Sequence, residues 1–210
     1  DAQSGILGSV PENWRLGLSN TFKYKGLSLS ALLEVKNGGQ MWNGTKGALY
    51  YFGTHADTES RDTESKTFEG VYGYQADDGS IVYTDADGND LAEGATPVSN
   101  NFEVPLDENW YFWEGPGSGF TGPSEQFIED TDWVRLRQVT LSYALPSSIL
   151  NNTFIGRLEV YVSGRNLYLD TPYTGIDPET SLFGTSNAQG ADYFNMPGTK
   201  SYTFGLRVGF

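Results

Sequence analysis

Tyr202, Phe204, Leu206, Val208 and Phe210 alternate with Thr203, Gly205, Arg207 and Gly209 along the end of the chain, and no other feature constrains the fold as tightly. Successive side chains of a strand point to opposite faces, so this stretch has one wholly apolar face, one small or polar face, and a final aromatic ring. A transmembrane β-strand reads this way. As a soluble edge strand, it would offer unpaired backbone groups and an apolar face to any other chain, which invites aggregation. Closure into a barrel removes such an edge.

Twenty-six glycines, 12 Phe, 13 Tyr and 5 Trp in 210 residues favour strands and turns, so the fold class is all-β. The mean hydropathy of −0.43 does not argue against a membrane. Lipid-facing and lumen-facing residues alternate along barrel strands and cancel in the average. With no cysteine there is no disulfide and no thiolate metal site. The net charge of −14 is concentrated: residues 57 to 132 hold 19 of the 27 acidic residues and only Arg61 and Lys66 as bases. A solvated acidic segment therefore joins a nearly neutral framework, and a nucleic-acid surface is excluded.

Five strands are predicted. Trp14, Leu16, Leu18, Phe22 and Tyr24 share a face opposite Arg15, Gly17, Ser19, Thr21 and Lys23. After a tight turn at Lys25 and Gly26, Leu27, Leu29, Ala31, Leu33 and Val35 oppose Ser28, Ser30, Glu34 and Lys36. A third strand spans about Trp133 to Leu145, irregular at its start. A fourth runs from Arg157 to about Leu169 with apolar residues on both faces, and the terminal strand is the fifth. Each is about as long as a tilted span of the hydrocarbon layer. The connections run short, long, short, long, which in a barrel sets long extracellular loops against short periplasmic turns. Residues 37–132 and 170–200 are then extracellular and Phe210 periplasmic. Five strands cannot close a barrel, so the chain reads as the C-terminal portion of a larger one.

Four ordered motifs carry a family resemblance. Residues Asp132 to Pro146 (DWVRLRQVTLSYALP), Tyr161 to Leu167 (YVSGRNL), Tyr173 to Glu179 (YTGIDPE) and Met196 to Phe210 resemble the closing segments of SusC/RagA-type TonB-dependent outer-membrane transporters. Phe22 to Asn43 is similar to the hairpin that precedes them, and the likeness fades between about 57 and 127. The resemblance implies an antiparallel transmembrane β-barrel of roughly 22 strands, to which this chain gives about five, one very long acidic loop and one medium loop. It also implies a plug domain and a TonB-engaging segment, neither present here, and a SusD-like surface lipoprotein as lid. The implied activity is energised import of oligosaccharides and sometimes peptides across the outer membrane of Bacteroidetes-like bacteria, with no bond made or broken. The implied partners are the rest of the barrel, outer-membrane lipid, the lipoprotein and the TonB complex.

Candidate contact residues are few. Trp110, Tyr111 and Trp113 cluster beside the acidic run, and Trp42 with Asn43 follow Gly38 and Gly39. Flat rings stack on sugar faces or fill a protein interface, but they also build loop cores and membrane-boundary girdles. By the same resemblance Tyr202, Phe204, Leu206, Val208 and Phe210 form the signal that barrel-assembly machinery reads. Asp85, Asp87, Asn89 and Asp90 have the residue types of a calcium loop, but not its later glycine and terminal acid, and Asp87-Gly88-Asn89 is an ordinary turn. No metal or cofactor is expected. His55 is the sole histidine, too little for a triad, and Asp177-Pro178-Glu179 reads as a loop-shaping motif. The competing readings are a soluble β-sandwich that binds carbohydrate and a secreted glycosidase.

Overall fold

A computed structural model describes residues 5–112, 115–184 and 186–210. In chain order the elements are β1 (Trp14–Tyr24), β2 (Leu27–Asn37), β3 (Gln40–Asn43), α1 (Gly44–Tyr51), β4 (Ser65–Thr67), β5 (Gly73–Gln75), β6 (Ile81–Tyr83), β7 (Glu103–Pro105), α2 (Glu108–Tyr111), β8 (Ile128–Asp130), β9 (Trp133–Ala144), α3 (Ser147–Leu150), β10 (Arg157–Asp170), β11 (Ala191–Asp192) and β12 (Ser201–Gly209). They fall into two compact units. One comprises the chain up to Gly47 with Ser124–Phe210, and the other is Ala48–Pro123.

The first unit is built on an antiparallel sheet in the order β1-β2-β9-β10-β12, the five strands expected from alternation. Lys25 and Gly26 turn the chain between β1 and β2 with φ of 47° and 86°. Two positive φ values in a two-residue loop match the right-handed twist of the flanking strands. Gly26 has a second constraint, since a Cβ there would stand 2.7 Å from the Ala144 carbonyl oxygen. Pairings such as Phe22↔Leu29, Leu29↔Leu141, Val162↔Leu141 and Val162↔Phe204 carry one apolar face across the whole sheet. That face is open: Leu16, Phe22, Leu29, Phe204 and Leu206 are exposed, Phe204 at 79%. A β-sandwich would bury this face under a second sheet, and among the described residues none covers it, so the soluble sandwich is not the observed architecture. A barrel wall facing lipid has this pattern.

The irregular start of β9 has a cause in the register, whereas β10 keeps its period, with Val160, Val162 and Tyr168 on one face and Tyr161 and Leu169 as apolar residues on the other. Leu32 pairs with Gln138 and Leu33 with Leu136, leaving Arg137 without a partner on β2; on the other side Gln138 pairs with Arg165 and Leu136 with Tyr168, leaving Asn166 and Leu167 opposite Arg137. This β-bulge flips the phase of the strand. Val134 and Leu136 lie on the apolar face before it, and Val139, Leu141 and Tyr143 after it. Asn166 takes a φ of 52°, a conformation Asn tolerates better than most residues.

The opposite face of the wall is polar. Thr140 and Ser163 share a hydrogen bond of 2.8 Å, and Glu159 accepts from Arg157 at 2.8 Å and Arg207 at 2.7 Å. Tyr161 lies over its cross-strand neighbour Gly205, where a Cβ would come within 2.4 Å of the ring.

The segment 37–132, expected as one long loop, carries structure of its own. Its two ends, β3 and β8, pair with each other, and β11 adds parallel to β3, so both long connections contribute to one three-stranded sheet in the first unit. In the second unit β4 pairs with β7 and β5 with β6. Its interior is aromatic: Phe68 stacks on Trp110 at 4.9 Å, and Tyr50 meets Tyr111 edge-on at 5.6 Å.

Candidate functional site

The sequence-predicted contact residues divide between the two units and differ in exposure. Trp42, on β3, stacks parallel to Tyr193 with centroids 6.2 Å apart. Gly44 makes room for it, since a Cβ there would fall 2.3 Å from the ring. Asn43 is only 1% exposed. Its Oδ1 accepts from the Lys46 amide at 3.0 Å and its Nδ2 donates to Glu129 at 3.2 Å, so it starts α1 and ties it to β8. Trp110 is partly exposed, its backbone held by the Asp107 carboxylate at 3.1 Å. Tyr111 is buried, and burial, then the charges of Asp57 and Glu64, push its hydroxyl pKa up. Trp113 lies outside the described residues. Asn43 and Tyr111 therefore belong to the frame, behind their more exposed tryptophan neighbours.

Sequence reading missed the densest chemistry of the first unit, a charge cluster on the polar face of the wall. Arg135, 3% exposed, donates to Asp177 at 2.7 Å and pairs with Glu179 at 3.1 Å. Arg137, turned onto this face at the bulge, forks onto both Glu179 oxygens at 2.9 Å and reaches Glu34 at 2.6 Å. Trp133, 2% exposed, carries Arg15, Arg135 and Arg137 around its ring at 5.3 to 5.5 Å. Planar guanidinium groups suit both roles, as bidentate partners of carboxylates and as cations over an indole. The expected turn role of Asp177-Pro178-Glu179 holds too, with Asp177 accepting from the Glu179 amide at 3.0 Å. The ion pairs were not legible because Arg135 and Asp177 stand 42 positions apart.

A second cluster fixes the 170–200 connection to β3 and β8. Glu129 receives the Thr174 amide and hydroxyl, both at 2.7 Å, and Lys46 at 3.2 Å. Burial alone would raise its pKa, but the Thr174 hydrogen bonds and the Lys46 charge outweigh burial and hold the carboxyl below its usual range. Asp192, fully buried, accepts from the Tyr173 hydroxyl at 2.7 Å and Thr45 at 3.1 Å. Burial and that carboxylate push the Tyr173 pKa far up. Thr45 also accepts the Phe194 amide at 2.7 Å, and Phe194 has a φ of 52°. A bulky residue in that region is held by its surroundings, here at the start of an exposed aromatic and methionine stretch.

Among the described residues no group of His, Cys, Asp and Glu is arranged to hold a metal ion. Asp85 instead accepts the Asp87 amide at 3.0 Å and the Asn89 amide at 2.8 Å, and Gly88 has a φ of 85°, which is the turn reading. His55 accepts the Asp57 amide at 3.1 Å and caps a short helical turn. Tyr202, Phe204, Leu206 and Val208 lie on the exposed apolar face, and Phe210, 87% exposed, stacks on Phe154 at 5.8 Å.

Comparison with known proteins places this geometry. No protein-family model matches the chain. It is 24% identical over 214 aligned residues to TonB-dependent receptor P3 of Formosa agariphila, covering all of this chain and 17% of that protein. It is 26% identical to TonB-dependent receptor P26 of the same organism, covering 98% of this chain and 18% of that one. Among solved structures it matches a chain of the RagAB peptide importer in its closed-closed state with a TM-score of 0.60 and 22% identity, over 98% of this chain and 18% of the other. The open-open state of the same importer gives a TM-score of 0.54. The chain thus spans about a sixth of the length of the relatives it matches, is similar to TonB-dependent receptors from end to end, and has the fold of a RagAB segment. The resemblance to SusC/RagA-type receptors carried by the sequence motifs holds.

Proposed function

We propose, from this kinship, that the chain is the C-terminal wall segment of an outer-membrane importer energised through TonB. One observation carries the reading: a five-stranded antiparallel sheet exposes a continuous apolar face on one side and arranges ion pairs on the other. Lipid on the first face and an aqueous lumen on the second account for both. In this reading 37–132 and 170–200 are extracellular, Phe210 is periplasmic, and the terminal apolar row serves as the barrel-assembly signal. A plug and the remaining strands come from other parts of the intact protein, and a SusD-like lipoprotein covers the mouth. Trp42, Trp110 and Trp113 meet substrate or lid, backed by Asn43 and Tyr111. The cargo is an oligosaccharide or a peptide; peptide gains weight from the RagAB importer's own substrate class. Enzymatic chemistry has no part in this function, and the relatives are named as receptors and an importer.

The test is the native size and location of the protein, detected with an antibody against residues 133 to 210. A detergent-extracted outer-membrane species several times heavier than 23.1 kDa, copurifying with a surface lipoprotein, is the expected result. A free soluble species of 23.1 kDa overturns the reading.

A further inference from the structure

Charge is unevenly divided along the wall. Residues 19–32, 138–165 and 201–210, which share register rows at the end next to the short turns, hold five bases, Lys23, Lys25, Arg157, Arg165 and Arg207, and one acid, Glu159. Glu12, Glu34, Asp177 and Glu179, which answer Arg15, Arg135 and Arg137, all lie toward the other end. A chain of net charge −14 thus has a basic region, and alternation puts its Lys23, Arg157 and Arg207 on the polar face of the wall.

Lys23 and Lys25 on one side and Arg157, Glu159 and Arg207 on the other line a cavity of about 640 Å³, all in the first unit. Glu159 is shared, accepting from Arg157 at 2.8 Å and Arg207 at 2.7 Å. Among the described residues Lys23 and Lys25 have no carboxylate within 4.0 Å. Four cations therefore face one carboxylate, and a second at Phe210, which pairs with none of them, still leaves an excess of two. The floor between the basic sides is neutral. Its Thr21, Ser30 and Thr140 continue through Ser163 to Thr203, a hydroxyl row in register across all five strands. Hydroxyls donate or accept as a partner requires.

We infer that this cradle seats an acidic segment of the plug, the part of the intact protein that fills the lumen. The inference rests on the importer reading and deepens it, by naming the surface of the wall that the plug meets and the chemistry of the contact. In that reading the polar face looks into the lumen, so lipid is not the occupant, and a barrel of about 22 strands has its lumen plugged. The chain spans about a sixth of the length of its relatives, which leaves ample protein to fill that space. Complementary charge fixes register and orientation at such a contact, and the hydroxyl floor satisfies the backbone between the carboxylates.

The experiment is carbodiimide cross-linking of the intact protein in detergent, which joins a lysine amine to a carboxylate in contact with it and is read by mass spectrometry of the digest. We expect a link from Lys23 or Lys25 to an aspartate or glutamate of the plug. Links that go only to other barrel strands, or no link at all, overturn the inference. Hydrogen exchange in the linked plug segment should run about threefold or more faster in K23Q/R157Q, which leaves Glu159 with Arg207, and at the parent rate in K23R/R157K. An unchanged rate in K23Q/R157Q, or an equal rise in K23R/R157K, overturns it too. The importer reading is scored separately, because outer-membrane location and native mass do not depend on Lys23 or Arg157. A protein that passes that test and fails this one remains an importer whose plug is seated elsewhere.

Discussion

The wall strands β1, β2, β9, β10 and β12 run 9 to 14 residues each, whereas β4 to β7 of the unit Ala48–Pro123 run three each. The contrast extends to charge. Residues 48–123 hold fifteen acidic side chains against Arg61 and Lys66, and among the described residues of this segment the one ion pair is His55 with Asp57. The wall places acids and bases together on one face and nothing charged on the apolar face of β12. In the wall, long ladders fix which face each side chain occupies, so a single change of polarity or charge meets a whole row of neighbours. The second unit is stabilised by local turns and ring contacts, with its carboxylates solvated, and a change there meets only what lies beside it.

The sharpest test of this contrast is Arg135→Ala. It leaves Asp177 buried without its cation, and loss of one partner of a buried pair costs about 3 to 5 kcal/mol. The expected outcome is a marked fall in the heat-unfolding midpoint of the intact barrel, followed by gel mobility; an unchanged midpoint removes the cluster from the frame. Next in size is Leu206→Arg. If the apolar face meets lipid as proposed, a cation there costs up to about 2 to 4 kcal/mol, whereas Thr203→Arg on the polar face should cost far less. Equal penalties in vesicle refolding would mean the two faces have been assigned the wrong way round. The smallest effect is expected at Ile81, exposed on β6 in the second unit, where Ile81→Thr should stay within about 0.5 kcal/mol. A loss as large as that at Arg135 would erase the distinction between the units.

Alternation made β1, β2 and β12 legible in the sequence, because their period of two survives single exceptions, Asn20 on the apolar face of β1 and Leu32 on the polar face of β2. In β9 the bulge at Arg137 reverses that period, and periodicity alone cannot tell a phase change from a poor strand; β10 keeps its phase but places Tyr161 and Leu169 on its polar face. Within 37–132 the three-residue strands are too short to show any period, and β3 and β8 find each other only through pairing between residues some 90 positions apart. The turn at Asp87-Gly88-Asn89 was legible because its chemistry is local. The candidate site was legible only in part. An indole is visible in a sequence, but whether it is backed by Tyr193, as Trp42 is, or ringed by three guanidiniums, as Trp133 is, depends on residues brought together by the fold.

The bulge in β9 also sets a rule of parity for how this wall can change length. Loss or gain of one residue within Val139–Ala144 would turn every side chain on one side of the change inside out, placing Thr140 or Ser142 on the apolar face and an apolar row on the polar one. At Arg137 the same single-residue step only creates or removes the unpaired position. Relatives that differ from this chain by one residue in this strand should therefore carry the difference at the bulge, and those that differ elsewhere should do so by two.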